Sequence, residues 1–285
     1  MSPGSGSPVE PVEWSSISIG GTWTRLLQAG PHQASEAVVF IHGNPGSASD
    51  WSTLVEEVGS SHRAIAFDLP DFGQTAADPD FGHTVQEYAD FIDEALKTLG
   101  ITRAILVLHD FGGPIGLTWA AANTLKVGGV VLIDTGILAD YKWHRMARIW
   151  QTPGLGKLAN ASITRPIFRR LVARPEPRGL PTEFLDEMYD NFDRRTKAAV
   201  IDLYRDAKKI GKESKLLIGP LAEQDIPALV IWGAGDSYLP PAMAERQREA
   251  FPSAEVHILP GSGHWPFIDD PATVNRLLGD FLSRV

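Results

Sequence analysis

Four short stretches place residues able to move protons or attack carbon directly after apolar runs rich in branched side chains. His42-Gly43-Asn44-Pro45-Gly46 follows one such run, and His109-Asp110-Phe111-Gly112-Gly113 follows another. Trp232-Gly-Ala-Gly-Asp236 closes a third, and Gly261-Ser-Gly-His264-Trp265 comes after a fourth. A carboxylate can act as a nucleophile, an imidazole exchanges protons near neutral pH, and a second carboxylate can orient that imidazole. An aspartate after a strand often only caps the next helix, and Asp110 stands just ahead of a helical pattern that opens near Gly113. Capping alone does not explain the glycines beside it or a histidine in a matching turn near the end of the chain.

The apolar runs fall at 37–41, 64–67, 104–108, 127–133, 228–232 and 256–259. Being apolar on both faces, they suit buried parallel strands. Helical patterns lie between them at 84–99, 113–122, 242–251 and 272–282. Pro114 and the Pro240-Pro241 pair fit proline's preference for a first helical turn. Strands alternating with helices predict a mostly parallel sheet covered on both faces, with an antiparallel hairpin at 17–19 and 23–27 on one edge. In such sheets chemistry gathers at the carboxyl ends of the strands, where the four stretches stand.

The segment 137–225 breaks this alternation, since its apolar residues recur at three and four, as on one face of a helix. It holds 17 Lys/Arg against 12 Asp/Glu, while the rest of the chain holds 9 against 23. The expected organisation is a flexible tail at 1–12, an α/β core at 13–136 and 226–285, and a helical insertion at 137–225 between the sixth and seventh strands. Most of the insertion's arginines read as solvated helix faces.

Composition narrows the function classes. With 285 residues the chain needs no disulfide or metal to hold a core, and the absence of cysteine removes thiolate chemistry. A net charge of −9 argues against nucleic acid as partner. No apolar stretch is long enough to span a membrane, and the opening Met1-Ser-Pro-Gly-Ser lacks the pattern of a signal peptide, so a cytoplasmic protein is expected. There is no GxGxxG after a strand, no P-loop spacing and no ligand-spaced histidine pair, so neither cofactor nor metal is expected.

In motif order and spacing, residues 14 to 285 resemble the α/β-hydrolase superfamily: loop, nucleophile turn, acid, then histidine. The superfamily's G-x-S-x-G turn is here Leu108-His-Asp110-Phe-Gly112, with aspartate in place of serine and leucine in place of the first glycine. The resemblance is therefore to the aspartate-nucleophile branch, the epoxide hydrolases and haloalkane dehalogenases. It implies an eight-stranded α/β-hydrolase sheet with a helical cap. It also implies Asp110 as nucleophile, His264 as the base that activates water, and Asp236 as its acid partner. Backbone N–H groups of Asn44 and Phe111 would form the oxyanion hole. Asp134, ending the sixth strand, is the reserve acid, since some similar dehalogenases carry theirs there. His42 and His109 read as structural.

The two chemistries need different help for the leaving group. A halide wants N–H donors. Asn44 and the Gly116-Leu-Thr-Trp-Ala120 stretch look dehalogenase-like, yet Phe111 stands where such enzymes place a tryptophan; Trp143 or Trp150 would have to substitute. An epoxide oxygen wants an O–H donor, and Tyr204-Arg205 resembles one of the two cap tyrosines of epoxide hydrolases. Ile149 occupies the place of the other, with Tyr141, Tyr238 or His144 as stand-ins. Tyr204 is otherwise a packed helical tyrosine. The donor inventory favours epoxide hydrolysis, with dehalogenation, another hydrolase activity or non-catalytic ligand binding as alternatives. A small apolar organic molecule and water are the expected partners. Two of Trp143, Trp150, Phe168, Tyr189 and Phe192 are expected to face it, with Tyr238 and Trp265 as further pocket candidates.

Overall fold

The computed structural model describes residues 12–285. The tail expected at 1–12 lies, apart from Val12, outside the described residues. Eight strands form one sheet: β1 (Glu13–Ile19), β2 (Thr22–Ala29), β3 (Glu36–Ile41), β4 (Ala64–Phe67), β5 (Arg103–His109), β6 (Val127–Ile133), β7 (Ala228–Gly233) and β8 (Glu255–Leu259), in the order β1-β2-β4-β3-β5-β6-β7-β8. β1 pairs antiparallel with β2, and β2 with β4; every other pairing is parallel. The central strands are buried on both faces, which is why they read as unbroken apolar runs. β8 lies at the edge and leaves Ile258 exposed.

Register places the chemistry. Ile41 pairs with Leu108, Leu108 with Leu132, and Ile133 with Ile231. The carboxyl ends of β3, β5, β6 and β7 are therefore level, and the turns holding Asn44, Asp110, Asp134 and Asp236 leave the sheet along one edge. Helices Val85–Thr98, Gly112–Ala122 and Pro271–Leu282 bury their apolar faces against the sheet. Thr84 opens the first of them with a capping box, accepting from the Glu87 N–H while the Glu87 carboxylate accepts from the Thr84 N–H. Two further core helices, Ser52–Gly59 and the single turn Pro266–Asp269, lie outside the predicted set.

Between β6 and β7 the chain forms helices, including Arg145–Trp150, Leu155–Ser162, Arg165–Ala173, Thr182–Asp190, Arg194–Asp206 and Lys215–Gln224. Arg194–Asp206 is fixed at its start by Asp193, whose carboxylate accepts from the Arg195 and Thr196 N–H groups. Its buried side, Thr196, Ala199, Val200, Leu203 and Tyr204, turns inward. Bonds that tie this insertion to the core include Asn191 Nδ2 to Ser47 Oγ (3.4 Å), Thr196 Oγ1 to Asp71 O (2.8 Å), and the Val85 N–H to Asp206 Oδ2 (2.9 Å). Among the described residues no helix is long and apolar enough to cross a membrane.

Candidate active site

Asp110 follows β5 with φ of 48°, in the left-handed region that a side chain adopts only when its surroundings enforce it. The sharp turn directs the chain at once into the helix Gly112–Ala122. Thr135 Oγ1 holds the Asp110 carbonyl at 2.5 Å. Gly43 faces the Asp110 side chain so closely that a Cβ there would overlap it. That approach lets the Asn44 N–H donate to Asp110 Oδ1 at 2.7 Å. Phe111 is buried at the start of the helix, where backbone N–H groups have no intrahelical acceptor.

His264 stands between two carboxylates. Its Nε2 is 3.4 Å from Asp110 Oδ2, and its Nδ1 is 2.9 Å from Asp236 Oδ2. The other Asp236 oxygen accepts from the Tyr238 N–H (2.7 Å) and the Leu239 N–H (3.0 Å). Asp134 is fully buried and accepts from the Gly233 N–H at 3.0 and 3.2 Å, and its carboxyl is hydrogen-bonded to Asp236 rather than to His264. Ligand atoms of Asp134, Asp236 and His264 lie within 4.8 Å of one another, but they are already engaged as hydrogen-bonding partners.

Burial works against every charge here, and the neighbours decide which survive. Burial pushes Asp134 well above the usual carboxylate range, and the Asp236 charge adds to it. Burial also opposes ionisation of Asp236, but His264 and the backbone donors outweigh it and hold its pKa down. Asp110 is likewise held low against burial, chiefly by His264. Burial disfavours the His264 cation, yet Asp236 and Asp110 together raise its pKa well above that of a free imidazole. These directions favour charge on Asp110, His264 and Asp236 and its absence from Asp134.

Two histidines that support the site from below, His42 and His109, are held well below the usual imidazole range. Burial lowers His42 to about 4; its Nε2 accepts from the Leu69 N–H (3.0 Å), which leaves Nδ1 to donate to Gly43 O (2.9 Å) and fix the loop carrying Asn44. Burial lowers His109 to about 3, and its Nε2 donates to His264 O at 2.7 Å.

A cavity of about 170 Å³ opens over Asp110 and His264. Asn44, His144, Trp150, Phe168, Tyr204, Tyr238 and Trp265 line it. Phe192 also does, so three of the five insertion aromatics face this space, where two were expected. Trp143 and Tyr189, both expected to line it, do not. Trp143 stacks on Phe111 at 6.0 Å and borders a separate void of about 20 Å³, while Tyr189 packs on Phe168 and lies under the Arg165 guanidinium. Helical periodicity showed which residues were buried but not against which neighbour.

Donors in the cavity can be sorted by what they already hold. The Trp150 indole N–H donates to Asn160 Oδ1 (2.6 Å), and that of Trp143 to Lys208 O (3.3 Å). The Tyr141 hydroxyl donates to Tyr238 O (2.9 Å). Tyr204 packs against Phe111, Trp143 and Trp150, and its phenol interacts with the Asn44 side chain. Burial keeps the Tyr204 and Tyr238 phenols protonated. Burial lowers His144 to about 4; its Nδ1 accepts from the Ala147 N–H (3.3 Å), so the imidazole proton is on Nε2. Both carboxamide atoms of Asn44 are buried without a well-formed hydrogen bond.

Glu176, from the insertion, was not anticipated. Its Oε2 accepts from the His264 N–H at 2.9 Å, while Oε1 is buried without a partner. The surrounding Arg174-Pro-Glu-Pro-Arg178 carries no pattern that would single it out.

The profile of the alpha/beta hydrolase family matches residues 38–277. The chain belongs to that family. Among curated proteins, this α/β hydrolase is 27% identical over 274 residues to a 2-hydroxy-6-oxononadienedioate/2-hydroxy-6-oxononatrienedioate hydrolase of Paraburkholderia phymatum, covering 93% of each chain. It is 25% identical over 272 residues to a haloalkane dehalogenase of Agrobacterium fabrum, covering 89% of this chain and 87% of that one. In structure it is similar to the Cif epoxide hydrolase from Acinetobacter nosocomialis, with a TM-score of 0.82 and 18% identity over 97% of this chain and 90% of the other. Two of these three carry hydrolase in their names and the third is named for dehalogenation; the membership of the family supports a hydrolase.

Proposed function

We propose that this α/β hydrolase opens epoxides to vicinal diols through an ester on Asp110. The observation that carries this reading is the donor set over the nucleophile. Tyr204, Tyr238 and His144, each with an O–H or N–H to give, line the cavity, whereas the indoles that a departing halide would use, on Trp143 and Trp150, donate elsewhere. Asp110 Oδ1 is held by the Asn44 N–H, so Oδ2 attacks a ring carbon and the carbon–oxygen bond of the ring breaks. The freed oxygen takes a proton from a neutral donor, with Tyr204 first in line beside the Asn44 carboxamide it touches.

Esterification removes the Asp110 charge, and with it one of the two carboxylates that keep His264 protonated. The imidazole then gives up its proton, which restores the Tyr204 phenol, and Nε2 can take one from water attacking the ester carbonyl carbon. Charge gathers on the oxygen facing the Asn44 N–H, with the Phe111 N–H as the second donor. Collapse breaks the bond between the carbonyl carbon and the diol oxygen, which takes the proton held on His264 Nε2; the acid left on Asp110 then returns its proton to His264, restoring carboxylate and imidazolium. Asp236 keeps the imidazole in the required tautomer, and Asp134, neutral, supports Asp236 rather than His264.

Turnover of parallel panels of terminal epoxides and haloalkanes, with Tyr204→Phe beside the parent enzyme, tests this reading. Diol formation from epoxides, falling about 100-fold or more in Tyr204→Phe, is expected. Halide release without diol formation would instead establish dehalogenation, for which the Asn44 carboxamide lining the cavity is the candidate donor.

A further inference from the structure

Against the catalytic cavity lies a second, open concavity of about 730 Å³. His144, Met146, Leu171 and Tyr238 border both spaces. Its other walls include Arg145, Arg170 and Arg174, and no carboxylate is among its lining residues. The remaining arginines of the same helices behave differently. Arg165 and Arg169 pair with Asp186 and Asp190, and Arg148 donates to Trp143 O. For the side chains of Arg145, Arg170 and Arg174 there is no ion pair and no hydrogen bond among the described residues.

A cation near the end of a helix is favoured by the helix dipole, and Arg170 and Arg174 stand at the end of Arg165–Ala173. That does not explain Arg145, the first residue of a different helix, where the dipole opposes a cation. It also does not explain why all three converge on one opening while the chain as a whole is acidic, with a net charge of −9. Like charges four residues apart repel, so Arg170 and Arg174 work against each other unless an anion lies between them.

The size of the cavity adds the second half of the argument. About 170 Å³ is well below the roughly 300–1,000 Å³ of a site that encloses a drug-sized ligand. Only the reacting end of a longer molecule fits, and the rest must pass Met146 and Leu171 into the arginine-lined concavity. We infer that the substrate is an aliphatic chain ending in an anionic group such as a carboxylate, with that group held by Arg145, Arg170 and Arg174 while the reactive carbon reaches Asp110. This rests on the proposed chemistry for the reacting end only; recognition of the anion does not depend on it.

Calorimetric titration with octanoate, and with octan-1-ol as the uncharged control, separates the two claims. In the parent enzyme at low salt, octanoate should bind about tenfold tighter than octanol. The combined Arg145→Gln, Arg170→Gln, Arg174→Gln variant should lose that advantage, as should the parent at about 0.5 M salt. Arg170→Gln alone, which removes no internal contact, should show a partial loss and guards against misfolding of the triple variant. Octanoate binding no tighter than octanol, or equally tight in all variants, overturns the inference. If the octanoate pattern holds while epoxides leave Asp110 unmodified, the anion site stands and the epoxide reading falls.

Discussion

Glu176→Gln should make the stability of the protein less sensitive to alkaline pH. Burial raises the Glu176 carboxyl from 4.5 to about 7, with Asp269 and Asp236 adding to the effect and His264 opposing it. The folded-state value lies above the unfolded one, so folding takes up a proton across this window. Stability is therefore highest below about pH 4.5 as far as this group is concerned, and falls as pH rises through 7. At about 1.4 kcal/mol per pH unit the full shift is worth about 3 kcal/mol, which solvent screening of a partly covered carboxylate reduces to roughly 2. Glutamine retains a carbonyl oxygen for the His264 N–H and never ionises. Urea unfolding of the parent and of Glu176→Gln should give similar free energies near pH 5, and an advantage of roughly 2 kcal/mol to the variant near pH 8.5. Two curves that stay parallel from acid to alkaline pH would refute the assignment of that proton to Glu176.

The acid pair gives a sharper contrast. Asp236→Asn should cut turnover by roughly 10³ to 10⁴ and let the alkyl-enzyme accumulate, because His264 loses its tautomer control. Asp134→Asn should cost less than about tenfold, since an amide can donate to Asp236 and accept from the Gly233 N–H as the neutral acid does; steady-state kinetics of both variants checks the ranking. Gly43→Ala should lower turnover by about 100-fold or more, because the added Cβ overlaps the Asp110 side chain and displaces the Asn44 N–H from Asp110. Its circular dichroism should be unchanged, so that the loss is read in activity alone.

What the sequence disclosed depended on how local the determining physics was. Asp110, Asp236 and His264 could be read because each follows a parallel strand, and parallel register alone brings such turns to one edge. The helix Ser52–Gly59 escaped notice because two turns, with Leu54, Val55 and Val58 buried, give little periodicity. Within the insertion, burial was legible and direction was not. Trp150 and Trp143 are both aromatic and half-buried, yet only Trp150 reaches the cavity, a difference set by how the helices pack. Asp134 and Asp236 looked like rivals for one role. Their proximity makes them a pair in which one is charged because the other is not. Glu176 acts across 88 positions on a backbone N–H, a contact that leaves no trace in composition or spacing.

The covalent ester is the centre of the account, and His264→Gln isolates it. Without the base, Asp110 should still attack but the ester should not be hydrolysed. Incubation with an epoxide, followed by intact-mass measurement and peptide mapping, is predicted to show a gain equal to one whole epoxide, located on Asp110. A gain equal to an alkyl group, from a haloalkane and with halide released, would contradict the epoxide assignment. A protein left unmodified by both classes would contradict the aspartate-ester mechanism itself.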